Sequence, residues 1–146
     1  MTVAVQRDQV EQIDMAKFWP TFGIVVGASV VANLIIRIIA TTVFPISPEF
    51  LPLGWGPPII FTVIGLVGAA AVFLALGRFT KRPATFYRII ATVFLFVSLI
   101  PNIQLLGGGD ARFSGVTPAA VYTLMAMHIP PYLLSVWLFT TRAMRG

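Results

Sequence analysis

Apolar residues fall in four long runs, Phe18 to Ala40, Pro57 to Gly77, Tyr87 to Leu105 and Pro118 to Phe139, and polar residues gather between them. Each run holds about 19 to 23 residues, which at about 1.5 Å of rise per residue covers the ~30 Å hydrocarbon layer of a bilayer. Lipid offers no hydrogen-bond partner to a peptide group, so the runs are predicted as helices, over about 18–43, 57–77, 84–105 and 118–141. The expected fold is all-α, an integral membrane four-helix bundle over residues 18–146, preceded by a polar segment, 1–17. In that segment Val10, Ile13 and Phe18 are loosely spaced as one helical face, which predicts a short interfacial or frayed helix.

The connections differ in character. Thr42 to Gly56 contains Pro45, Pro48 and Pro52, which deny it a regular helix, yet Phe44, Phe50, Leu51, Leu53 and Trp55 make it too apolar for a free linker. It is predicted to fold over the outer end of the bundle. The connection from Pro101 to Pro118 includes Gly107-Gly108-Gly109-Asp110, a turn without the preceding strand that a phosphate loop requires. Phe18-Trp19-Pro20, and Trp137 with Phe139, are expected as aromatic anchors at the inner headgroup level.

Charge fixes an expected orientation. Of ten Lys and Arg residues, Arg7, Lys17, Arg78, Lys81, Arg82, Arg88, Arg142 and Arg145 lie on one side of the bundle, leaving only Arg37 and Arg112 on the other. The positive-inside rule then places both termini in the cytoplasm, N-in and C-in, with two apolar loops outside. Basic residues at helix ends point to a lipid bilayer as partner and away from nucleic acid; attraction to anionic headgroups is worth ~1 kcal/mol for each basic residue near the surface. The first run exceeds the ~7 to 15 residues of a signal-peptide core and follows Asp8, Glu11 and Asp14, so it is expected as a retained helix. With no cysteine, the chain forms no disulfide, thiolate metal site or attached c-type haem.

Three groups of residues stand out within the apolar runs. Gly23 and Gly27, with Ala28 and Ala32, are spaced to let helix backbones approach, and Gly65, Gly68, Ala69 and Ala71 make a matching small face on the second helix. Packing within this bundle is the first expectation, and contact with another subunit the second. Asn33, Arg37 and Thr41 form one polar stripe at i, i+4 and i+8. A guanidinium in hydrocarbon costs ~2.5 to 3.5 kcal/mol on insertion scales, so Arg37 is expected to snorkel outward, to pair with Glu49 or Asp110, or to bind an anion.

His128 lies mid-run in Met125-Ala-Met-His-Ile-Pro-Pro131, where Pro130 and Pro131 cannot donate to the carbonyls of Ala126 and Met127 and so predict a kink. Tyr132 and Ser135 continue its face. The leading expectation is a neutral histidine bonded to another helix; the alternatives are an axial ligand to haem or a chlorophyll-type pigment, with Met125 and Tyr132 alongside, or proton transfer. At the end of the third run, Ser98, Pro101, Asn102 and Gln104 are expected to cap a broken helix or bind Arg112.

Paired intramembrane carboxylates, His-rich metal spacing, Gly-x-Ser-x-Gly and a Ser or Thr beside a base are all missing from the sequence. The expectation is therefore a protein that is not an enzyme and that needs no cofactor on sequence grounds. The two helical hairpins share neither polar positions nor loop lengths, which argues against an inverted-repeat transporter.

Arg82-Pro-Ala-Thr-Phe-Tyr-Arg-Ile-Ile-Ala, the Ser-Leu-Ile-Pro exit at Ser98 to Pro101, and Met127-His128 resemble a family of small uncharacterised bacterial membrane proteins over about residues 70–145. The resemblance implies a four-helix integral membrane protein of the bacterial cytoplasmic (inner) membrane, and carries no activity. The resulting expectation is a non-catalytic accessory or scaffold subunit working with other membrane protein subunits. The alternative is a protein that binds or transports a small lipophilic ligand, pigment or haem through His128.

Overall fold

Asp14 opens the first helix by accepting a hydrogen bond from the Ala16 amide at 3.0 Å, the N-cap arrangement that satisfies one of the helix's free donors. The computed structural model describes residues 10–107 and 113–145. Helix α1 runs Met15–Val43, α2 Gly56–Phe79 and α3 Pro83–Leu106, while the fourth apolar run forms two helices, α4 Pro118–Ala126 and α5 Ile129–Thr141. Leu51–Leu53 makes a single 3-10 turn between α1 and α2. The fold is all-α among the described residues, with four helical stretches, the last being α4 with α5, each long and apolar enough to cross a membrane.

The break between α4 and α5 falls at Met127 and His128, ahead of the prolines. A proline ring clashes with the carbonyl four residues back, whereas in a helix's first turn its missing N–H costs nothing, so Pro130 and Pro131 open α5. Pro101 has no such effect: α3 continues unbroken through it to Leu106, against the expectation of a broken end.

Residues 10–14 are not helical, and the rest of the expected amino-terminal helix lies outside the described residues. The Glu11 amide donates to Lys81 O at 3.0 Å, Asp14 to Ala143 O at 2.8 Å, and the Arg145 amide to Gln12 O at 2.8 Å, while Ile13 and Met144 form an antiparallel bridge. Partners on two sides win over a short helix with few apolar contacts. The Glu11 carboxylate accepts from the Ala84 amide at 2.9 Å and so caps α3, whose own N-cap, Arg82, makes no side-chain cap bond. Ile13 lies so close over Gly77 that a Cβ there would collide with its side chain.

Two apolar clusters fill the interior. At the basic end, Phe18 of α1, Phe73 of α2, Tyr87 of α3 and Phe139 of α5 join all four stretches, with ring centroids 5.1 Å apart for Phe73–Tyr87, 5.3 Å for Phe73–Phe139 and 5.5 Å for Phe18–Phe139. Phe18 and Phe139 are thus core residues and not surface anchors, whereas Trp19 and Trp137 face outward, 58% and 62% exposed. At the loop end, Phe50 and Leu53 are buried against Ala120 and Met127, so the proline-rich connection is inserted among the helices. Gly115, at φ +72°, seats the second connection against Ser47, in a conformation and at a closeness that a side chain would not allow.

Replacing Glu11 by Ala removes the remote cap and is expected to cost about 1 kcal/mol, the usual size of an N-cap loss. Amide exchange at Ala84 should quicken in the variant while exchange in α2 stays unchanged.

Candidate functional site

Arg37 sits six residues before the end of α1, half-buried, and pairs with no acidic side chain among the described residues. Its Nε donates to Leu53 O at 2.7 Å, and its guanidinium carbon lies 3.8 Å from the centre of the Trp55 ring. The loop is held onto α1 by a backbone carbonyl and an indole face, and Glu49, one of the two expected carboxylates, makes no ion pair among the described residues. Glu49 is exposed, and the one ion pair among the described residues is Lys17–Asp14 at 3.8 Å. Asp110 and Arg112 lie outside the described residues. A cation stacked on an aromatic ring and bonded through one N–H is worth more out of water than in it, so a half-buried loop suits the contact.

One turn earlier, Asn33 bridges α1 to α2. Its Nδ2 donates to Thr62 Oγ1 at 2.9 Å, and the Thr62 hydroxyl donates to Pro58 O at 2.5 Å. Because the hydroxyl proton is spent on Pro58, Thr62 accepts from Asn33, which orients the amide. Among the described residues Asn33 Oδ1 is then buried without a partner, as is Ser29 Oγ one turn below. Thr41 turns back to the Arg37 carbonyl at 2.9 Å. The polar stripe therefore divides into three separate bonds and forms no shared pocket.

His128 departs from expectation. Its backbone amide bonds Met125 O at 3.1 Å, which leaves the Leu124 carbonyl without a backbone donor, and its Nδ1 fills that vacancy at 2.7 Å. The ring serves its own chain and not another helix. A carbonyl can only accept, so Nδ1 of the half-buried ring carries a proton and donates it there. No hydrogen bond reaches Nε2 among the described residues. Tyr132 turns to α3, where its hydroxyl meets Thr92 Oγ1 at 2.8 Å; Thr92 gives its proton to Arg88 O, so Tyr132 donates. Met125 is half-buried and contributes only its carbonyl to the break.

The glycines face the other way from the expected bundle contact. Gly23 and Gly27 on α1, and Gly65 and Gly68 on α2, are exposed, and a Cβ added to any of them would meet nothing within 4 Å. The α1–α2 contact is built instead around Asn33 and Thr62 and around Val25, Leu66 and Ala70. Asn102 is buried and bonds Ser98 O at 3.3 Å, within its own helix. Two contacts carried no sequence signal: Glu11 on α3, and Arg88, whose Nε and Nη2 both donate to Thr140 Oγ1 on α5. No group of three metal-ligating side chains occurs among the described residues.

This arrangement defines a class of small all-α proteins with four helical stretches suited to a lipid bilayer, whose polar groups are spent on joining helices and loops. Within that class the chain belongs to a family of unknown function, DUF6069, which matches residues 13–145. No curated protein and no solved structure matches the chain.

A double-mutant cycle with Asn33→Ala and Thr62→Val, followed by unfolding in detergent, should return a coupling of about 0.6 kcal/mol, the average for side-chain hydrogen bonds between membrane helices, and no more than about 1.7 kcal/mol. A coupling near zero would mean that the Asn33–Thr62 bond is not formed in lipid.

Proposed function

We propose that this protein is a non-catalytic accessory or scaffold subunit of a larger complex in the bacterial cytoplasmic membrane, with both termini in the cytoplasm. The observation that carries the reading is the outward direction of Gly23, Gly27, Gly65 and Gly68, each with open space above it. Lipid tails are as apolar as leucine, so helices associate in a membrane by close backbone packing, and outward glycines give a partner helix that approach. The basic turn at Arg78 to Arg88 and the basic tail at Arg142 and Arg145 support the orientation.

Because the chain has no cysteine, a single Gly27→Cys substitution gives a clean cross-linking handle. The expected product is a disulfide or bifunctional cross-link to another membrane polypeptide, abolished when Gly23 is also changed to Leu while unfolding of the chain itself is unaltered. A chain that runs monomeric and unaccompanied in mild detergent, with no cross-link formed, contradicts the proposal.

A second reading draws on His128. Its Nδ1 donates to a backbone carbonyl and its Nε2 makes no hydrogen bond among the described residues, the arrangement in which a histidine ligates the iron of haem or the magnesium of a chlorophyll-type pigment through Nε2. An absorption spectrum of the purified protein tests it: a tetrapyrrole band lost in His128→Ala supports ligation, and a spectrum of tryptophan and tyrosine alone rejects it.

A further inference from the structure

The geometry points to a binding site for a phosphate-bearing anion at the loop end of the bundle, with the Arg37 guanidinium as its fork and an outer-leaflet phospholipid headgroup as its source. The guanidinium carries five N–H donors, of which the described residues take one: Nε on Leu53 O at 2.7 Å. One face is covered by Trp55 at 3.8 Å. The two Nη nitrogens make no hydrogen bond among the described residues, and no carboxylate pairs with them there. Both the position and the plane of the fork are thus set before any ligand arrives, and two parallel N–H vectors of an arginine match two oxygens of a phosphate.

Depth matters as much as geometry. Trp19, exposed at the basic end, marks one headgroup level, and Arg37 lies about 27 Å further along α1 at about 1.5 Å per residue. That is close to the ~30 Å thickness of the hydrocarbon layer, so the fork reaches the level of the opposite phosphates. Trp55, 58% exposed beside it, has the placement of a residue in an interfacial aromatic belt.

Glu49, on the same loop, is exposed and makes no ion pair with Arg37 among the described residues, and the nearest helix end adds positive potential. Helix α2 starts at Gly56, immediately after Trp55, and presents its positive end there without a side-chain cap. Pro57 and Pro58 occupy its first turn and have no N–H to offer, so that end attracts an anion but cannot bind it through a row of amides. The Arg37 fork supplies the missing donors. A cation fixed in this way selects a ligand with two adjacent anionic oxygens over a lipid that has none.

The test measures lipid and not protein partners, so it fails or stands separately from the subunit reading. Protein in a nonionic detergent is titrated with phosphatidylglycerol, with diacylglycerol as the phosphate-free analogue, and with inorganic phosphate, and bound ligand is read by native mass spectrometry. One phosphatidylglycerol per chain is expected, with no retained diacylglycerol. Arg37→Lys keeps the charge but not the fork and is expected to weaken retention about tenfold. Arg142→Gln, at the far end of the bundle, should change nothing. Displacement of the lipid by millimolar inorganic phosphate would keep the phosphate chemistry and assign it to a soluble source. Equal retention of phosphatidylglycerol and diacylglycerol by the wild-type chain overturns the site whether or not the Arg37 variant folds, and so does unchanged retention in a folded Arg37→Lys protein.

Discussion

A peptide group or polar side chain surrounded by hydrocarbon has no water to turn to, and that constraint accounts for most of what this molecule does with its few polar residues. Hydroxyls within the helices fold back on carbonyls of the preceding turn, as Thr21 does on Lys17 and Thr140 on Val136. Those that do not fold back alone join helices: Asn33 to Thr62, Tyr132 to Thr92, Arg88 to Thr140. Where two prolines stop a helix, the imidazole of His128 takes the carbonyl left over. Arg37, which would be costly in lipid by itself, is settled on a loop carbonyl and an indole. Each of these contacts satisfies a polar atom, and those between helices or onto the loop also join two parts of the fold.

The apolar interior follows a different logic at each end. The four aromatic rings at the basic end pack from four different helical stretches, and the amino-terminal strap and the carboxyl terminus close over them with backbone bonds. At the other end the helices leave space that Phe50 and Leu53 fill from the loop. The remaining surface of α2 and α3 is covered with outward side chains such as Phe61, Phe94 and Phe96, which suits a lipid environment.

The four helices and the covering loop were legible because run length and proline placement report directly on backbone state. Facing was not. A helix that is apolar all round carries no amphipathic stripe, so nothing in the pattern says which side meets the bundle; hence the outward turn of Gly23, Gly27, Gly65 and Gly68. Remote contacts escaped for a different reason: Glu11 caps a helix 73 residues away, and no local spacing encodes that. The polar stripe of Asn33, Arg37 and Thr41 was visible as a stripe, but its acceptors, a carbonyl and an indole, have no charge to betray them. At the fourth stretch the double proline announced the break, while the ring's turn onto Leu124 depended on which carbonyl the break left unpaired.

Spanning is the premise from which every one of these accounts follows, and the absence of native cysteine makes it directly measurable. Single cysteines at Ser114, in the second loop, and at Lys81, in the basic turn, are exposed positions at opposite ends of the bundle. With a membrane-impermeant thiol reagent applied to intact cells, Ser114→Cys should react at once and Lys81→Cys only after the membrane is permeabilised. Labelling of both positions from the same side would contradict the account.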